Sequence, residues 1–189
     1  MTITTEKGIE LNLLQASYTN RLMGDNSLVF NFISPIVLDV EVGDTLVLRG
    51  NAMVIRKEPV VQKISSNRFS YSITFEGLRY QLNDMPLMDE GDITFSYFGD
   101  AEQYLELIVE NMKTINPLWS VGNISVTEEK HISFDDVSCM EAIDIICKEF
   151  ALEWNVIGYS IDLVLKVGTD SGLELEYGRG RGLYSITRS

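Results

Sequence analysis

The sequence predicts an α+β fold that is mainly β: a β-barrel-like domain over residues 1–98, then a small α/β domain over 99–176 with two helices and a hairpin. Three observations carry this prediction. Phe69-Ser70-Tyr71-Ser72-Ile73-Thr74-Phe75 alternates apolar and hydroxyl side chains at the two-residue period of a half-buried strand. Short apolar runs recur through the first half between Gly, Asp, Asn and Pro turn signals, the spacing of a barrel or sandwich. Past Gly99 the period becomes helical, and two capping patterns mark where helices begin.

The first strand covers 27–33 and is stopped by Ser34-Pro35. A second, over 45–49, follows the turn Val42-Gly43-Asp44 and ends at Gly50-Asn51. Residues 60–64 pair with 69–75 as a hairpin, with 63–68 as its turn around Ser65-Ser66-Asn67. Glu90-Gly91-Asp92 turns the chain into the alternating run 93–98.

Asp100 is a good N-cap with Gln103 three residues on. Behind it, Tyr104, Leu105, Ile108, Val109 and Met112 recur at helical spacing until Asn116-Pro117, and Trp119 follows as a core anchor. Ser138 and Glu141 form the Ser-x-x-Glu capping box of a second helix. Its apolar face is Ala142, Ile143, Ile145, Ile146, Cys147 and Phe150. Residues 152–156 and 160–165 then form a hairpin about Gly158. A loop over 168–172, a short strand over 173–177, the run Gly178-Arg179-Gly180-Arg181-Gly182 and a strand over 183–188 complete the chain. That last strand stops at Ser189, which predicts that 177–189 is a crossover to a second β domain of a longer protein.

Hydrophobic residues make up 45% and charged residues 23%, enough apolar material for a core. No apolar run reaches the roughly 18 residues of a membrane helix. The N-terminus lacks the basic segment and apolar run of a secretory signal. The net charge of -13 argues against a nucleic-acid footprint and against a polybasic membrane surface. It reads as a self-repelling, soluble surface, or as one facing an anionic polymer that must not stick.

No constellation for catalysis emerges. His131 is the one histidine, set in the polar run Glu129-Lys130-His131-Ile132-Ser133, away from both cysteines. Cys139 and Cys147 share a helix about 12 Å apart along its axis, at about 1.5 Å per residue. That is too far for a disulfide, so they read as reduced core residues. One histidine and two helical cysteines do not make a zinc site. The acid clusters Asp89-Glu90-Gly91-Asp92 and Asp135-Asp136 lack the spacing of a calcium loop and read as turn or helix-entry acids. Catalytic, cofactor-binding and metal residues are therefore none. The glycine-arginine run lacks P-loop spacing and leads into a strand; Arg179 and Arg181 remain as a contact for an anion or a partner's acids. Trp119, Trp154 and the eight tyrosines are the material of a sugar-binding platform, or of a core.

The second half carries a family pattern. Phe134-Asp135-Asp136-Val137-Ser138-Cys139-Met140-Glu141-Ala142-Ile143, then Ile146-Cys147-Lys148-Glu149-Phe150, Trp154, Gly158 and Tyr177-Gly178-Arg179-Gly180-Arg181-Gly182-Leu183-Tyr184 occur in that order. This resembles the hub proteins of phage and prophage tails: baseplate hubs of contractile tails and tail-tip, tail-associated lysins of flexible ones. The resemblance runs over about residues 100–189. It implies a structural part of the virion tail, assembled in the host cytoplasm, that joins the tail tube to the tip. It also implies a homotrimer of the full-length protein, in a ring of pseudo-sixfold symmetry. The partners it implies are the distal tail or tail tube protein and the tape measure protein, with no specific nucleic-acid binding and no membrane insertion. The alternative is a carbohydrate- or cell-wall-binding module, or a fragment of a tail-associated wall hydrolase. That alternative requires exposed Trp119 or Trp154 beside paired carboxylates.

Overall fold

Alternation along the first strands sorts side chains onto two faces of one antiparallel sheet. The computed structural model describes residues 2–12, 15–168, 176–177 and 182–183. Strands β1 (Thr2–Thr4) and β2 (Glu10–Asn12) form a ribbon. They are followed by β3 (Ala16–Asn20), β4 (Asn26–Ser34), β5 (Thr45–Leu48), β6 (Asn51–Ile55), β7 (Val60–Ser65) and β8 (Arg68–Gly77). These six strands form a sheet in the order β3-β4-β8-β6-β5, with β7 on the first half of β8. The register Leu28↔Phe75, Phe30↔Ile73, Phe32↔Tyr71 stacks the large apolar side chains on one face. Leu28, Phe30, Ile73 and Phe75 are fully buried there, with Leu11, Leu46, Met53 and Ile55 closing over them.

The expected barrel is corrected to an open sheet. The edge of β8 opposite β4 is divided: Ser70, Tyr71 and Ser72 pair with β7, while Phe75, Glu76 and Gly77 pair with β6. Neither neighbour continues round to hydrogen-bond β3, so among the described residues the sheet does not close. The hairpin of β7 and β8 is as expected, with Ser65 paired to Arg68 and Ser66-Asn67 as a two-residue turn.

The chain leaves β8 through a 3-10 helix, Leu78–Asn83. A second core begins here. Its elements are β9 (Thr94–Gly99), α1 (Ala101–Lys113), β10 (Ser120–Ile124), β11 (Lys130–Asp135), α2 (Cys139–Phe150), β12 (Glu153–Ile157) and β13 (Ser160–Val164). Two short strands, β14 (Glu176–Tyr177) and β15 (Gly182–Leu183), pair in parallel. Both capping boxes form: Asp100 accepts from Gln103 N, and Ser138 accepts from Glu141 N. The hairpin of β12 and β13 turns at Gly158, whose φ of 60° favours glycine. β13 also pairs in parallel with β10, giving a three-stranded sheet.

β9 pairs with β11, and its Phe95 and Tyr97 pack in the second core. The change of core therefore falls within 78–82, where Leu82 already belongs to the second. Strand alternation alone is blind to which core a strand faces, and the cause here is tertiary. The hydroxyl of Tyr104 on α1 donates to Tyr97 O at 2.6 Å and accepts from Ile132 N at 3.0 Å, fastening the β9–β11 ribbon to the helix.

Candidate interaction surfaces

The residues singled out for chemistry are held apart or used for folding. His131 lies on the exposed side of β11, opposite Phe98, which is itself 61% exposed. Cys139 and Cys147 lie on the buried side of α2, and burial pushes both thiols up to about 12. Thiols held that far above neutral pH stay protonated and poorly nucleophilic. Among the described residues, no hydrogen bond joins His131 to a hydroxyl, a thiol or a carboxylate.

The acid clusters are turns. Asp89 and Asp92 exchange backbone hydrogen bonds of 3.0 and 2.9 Å around Glu90 and Gly91, whose φ values of 49° and 92° suit a tight hairpin turn. Asp135 accepts from Thr94 Oγ1 at 2.9 Å, and Asp136 takes a φ of 47° with its amide bonded to Ile93 O. Among the described residues, no three His, Cys, Asp or Glu side chains converge as a metal site would require. An open cleft of about 440 Å³ lies between the Asp89 turn and α1. Its one buried polar side chain, Asn111, is spent on Met88 and Leu107 backbone atoms.

Both tryptophans are 1% exposed. Trp154 Nε1 donates to Asp144 Oδ1 at 2.8 Å, and Trp119 packs edge-on against Tyr159 at 5.4 Å between ring centroids. Neither ring can stack on a sugar. Arg179 and Arg181 lie outside the described residues.

Two surfaces and one joint stand out instead. The outer face of the six-stranded sheet carries Val29, Asn31 and Ile33 from β4 beside Thr74, Ser72 and Ser70 from β8. Glu76 is the charge at the end of this row, and it is matched by Lys57 at 3.3 Å and Arg56 at 3.9 Å. A water-facing sheet in a chain of net charge -13 would ordinarily carry charged side chains. The charge lies elsewhere: Glu102, Glu106 and Glu110 run along the exposed side of α1 at four-residue spacing. Like charges at that spacing repel along a helix.

The joint is built on the 3-10 helix. Arg79 is 5% exposed and folds back onto the β3–β4 turn, where Nη1 donates to Arg21 O at 3.0 Å and Gly24 O at 3.1 Å. Its guanidinium lies 5.6 Å from the centroid of the Trp154 ring, in the second core. Desolvation lowers its pKa from the usual arginine value. Tyr80, next in sequence, donates to Asp25 Oδ1 at 3.2 Å. Sequence reasoning missed this joint. Its signal is faint: a polar pair, Arg79-Tyr80, directly after the alternation of β8 ends at Gly77.

No family model matches the chain, and no curated protein matches it. Solved structures do. A prophage tail protein, gp18, from Listeria monocytogenes EGD-e aligns over 86% of this chain and 49% of its own, with a TM-score of 0.64 and 14% identity. The 43 kDa tail protein of prophage MuSo2 from Shewanella oneidensis aligns over 92% of this chain and 56% of its own, with a TM-score of 0.64 and 10% identity. This chain spans about half the length of each and is similar to both in fold.

Proposed function

We propose that this chain is a structural component of a phage or prophage tail, placed at the baseplate hub or tail tip. The observation that carries the reading is the shared fold with two prophage tail proteins over most of this chain's length. The hub-like order of motifs from Phe134 to Tyr184 supports the same place in the tail. In this reading the parent protein forms a trimeric ring that joins the tail tube to the tip. It meets the distal tail or tail tube protein and the tape measure protein, and it works by shape rather than by catalysis.

The surfaces fit such a part. A sheet face of hydroxyls and aliphatic side chains suits packing against another subunit, because bringing it into an interface desolvates few charges. The acidic stripe of α1 suits a surface that DNA passes without adhering. The wall-binding alternative has lost its aromatic platform, since Trp119 and Trp154 are core residues. Immunogold labelling of particles with an antibody to this chain tests the proposal. Gold at the tail tip is the expected result; gold on the head, or unlabelled particles that lack the chain by mass spectrometry, refutes it.

A further inference from the structure

The joint between the two cores contains a buried polar pair that its own hydrogen bonds leave incomplete. Arg79 spends Nη1 on the carbonyls of Arg21 and Gly24, and Nη2 reaches Asn20 Oδ1 at 3.4 Å. Among the described residues, its buried Nε–H has no partner. Asn26, 7% exposed, likewise has a buried Oδ1 with no partner. Both side chains line one small cavity of about 10 Å³. The remaining walls come from β6 (Asn51, Ala52), from Leu78, and from the β12 hairpin (Val156, Gly158). The cavity thus touches the first sheet, the connecting 3-10 helix and the second core at once.

We infer that this cavity binds a single structural water molecule that accepts from Arg79 Nε–H and donates to Asn26 Oδ1, completing the joint between the two cores. Chemistry and size select the ligand. Arg79 Nε–H is a donor and Asn26 Oδ1 an acceptor, and a water molecule satisfies both, whereas an anion would be repelled by Oδ1 and a cation by the guanidinium. A volume near 10 Å³ is about what one water molecule needs. Leaving either group bare in the interior carries a desolvation penalty that a bridging water removes. The water links the 3-10 helix to the β4 strand at the point where the chain passes between the cores.

A crystal structure of the chain near 1.2 Å resolution tests this, with a parallel bromide soak. The expected result is one ordered water within about 3.2 Å of both Arg79 Nε and Asn26 Oδ1, with no anomalous peak there after the soak. An empty cavity, or a bromide peak in it, overturns the inference. Oxygen-17 magnetic relaxation dispersion reads the same site in solution. Arg79→Met, which removes the Nε donor at similar length, should lose one long-lived water relative to the parent. If Arg79→Met folds and holds the same number of long-lived waters, the inference fails. Should that variant not fold, the parent crystal structure decides alone. Neither outcome depends on where the chain sits in a tail.

Discussion

Tyr104 shows how one side chain can decide an element's allegiance. Its ring is fully buried, and its hydroxyl serves both strands of the β9–β11 ribbon. Tyr104→Phe keeps the ring but leaves the buried amide of Ile132 without its acceptor. The expected loss is about 1–3 kcal/mol in denaturant unfolding, the cost of an unsatisfied buried donor. Cys139 gives a pH signature. Burial raises its pKa from about 9 to about 12 in the folded chain. The folded state therefore holds the proton more tightly than the unfolded one. The resulting stability is complete below the unfolded value and is lost as pH rises toward about 12. Above pH 9 the parent should lose stability more steeply than Cys139→Ala, by at most about 1.4 kcal/mol per pH unit. Equal slopes would mean the thiol is exposed in solution. At this scale the sequence identified the buried face of α2 well, because Cys139 and Cys147 sit at helical spacing with Ile143 and Ile146. It marked Trp119 as a core anchor, and that ring is enclosed; it could not show the same of Trp154, whose burial depends on partners such as Asp144 on another element.

Elements were legible where a local signal closes on itself. Both helices begin at their capping residues, since a cap and its reciprocal side chain lie within one turn. Asp100→Ala removes the acceptor for Gln103 N and should lower stability by about 1 kcal/mol, seen as a shift in the urea midpoint with an unchanged slope. The hairpins of β7–β8 and β12–β13 were legible for the same reason. Strands β1, β2, β3 and β6 were not, because they are short, at three to five residues each, and β3 has no fully buried position. Closure of the sheet was also invisible. It turns on β8 sharing one edge between β6 and β7, a long-range pairing that no local period encodes. β7 itself is exposed at every residue and, among the described residues, pairs only with β8, leaving its other edge free. Lys63 and the register shift between Lys63 and Ser65 protect that edge from pairing with another strand.

At the scale of the whole molecule, the two cores meet at a polar joint, with Met23 of the β3–β4 turn packed against the second, and Arg79 reaches into both sides of the joint. Calorimetry of the unsubstituted chain should show one unfolding transition, and Arg79→Met should divide it into two, because the carbonyl of Gly24 loses its side-chain donor, that of Arg21 keeps only Gly24 N, and the cores lose this link. The charge pattern is likewise a property of the whole. A net charge of -13 was plain in the sequence, but its removal from one sheet face appears only when register places Val29, Asn31, Ser70 and Ser72 side by side. That neutral face and the acidic stripe of α1 suit a part that packs with neighbours while repelling a passing polyanion. The most direct test of the proposed tail role is a cryo-electron microscopy reconstruction of the phage or prophage particle encoded with this chain. The account predicts this fold at the tail tip in three copies around the tail axis, with the neutral sheet face against a neighbouring subunit. Density for the chain elsewhere in the particle, or a tail tip built without it, would contradict the account.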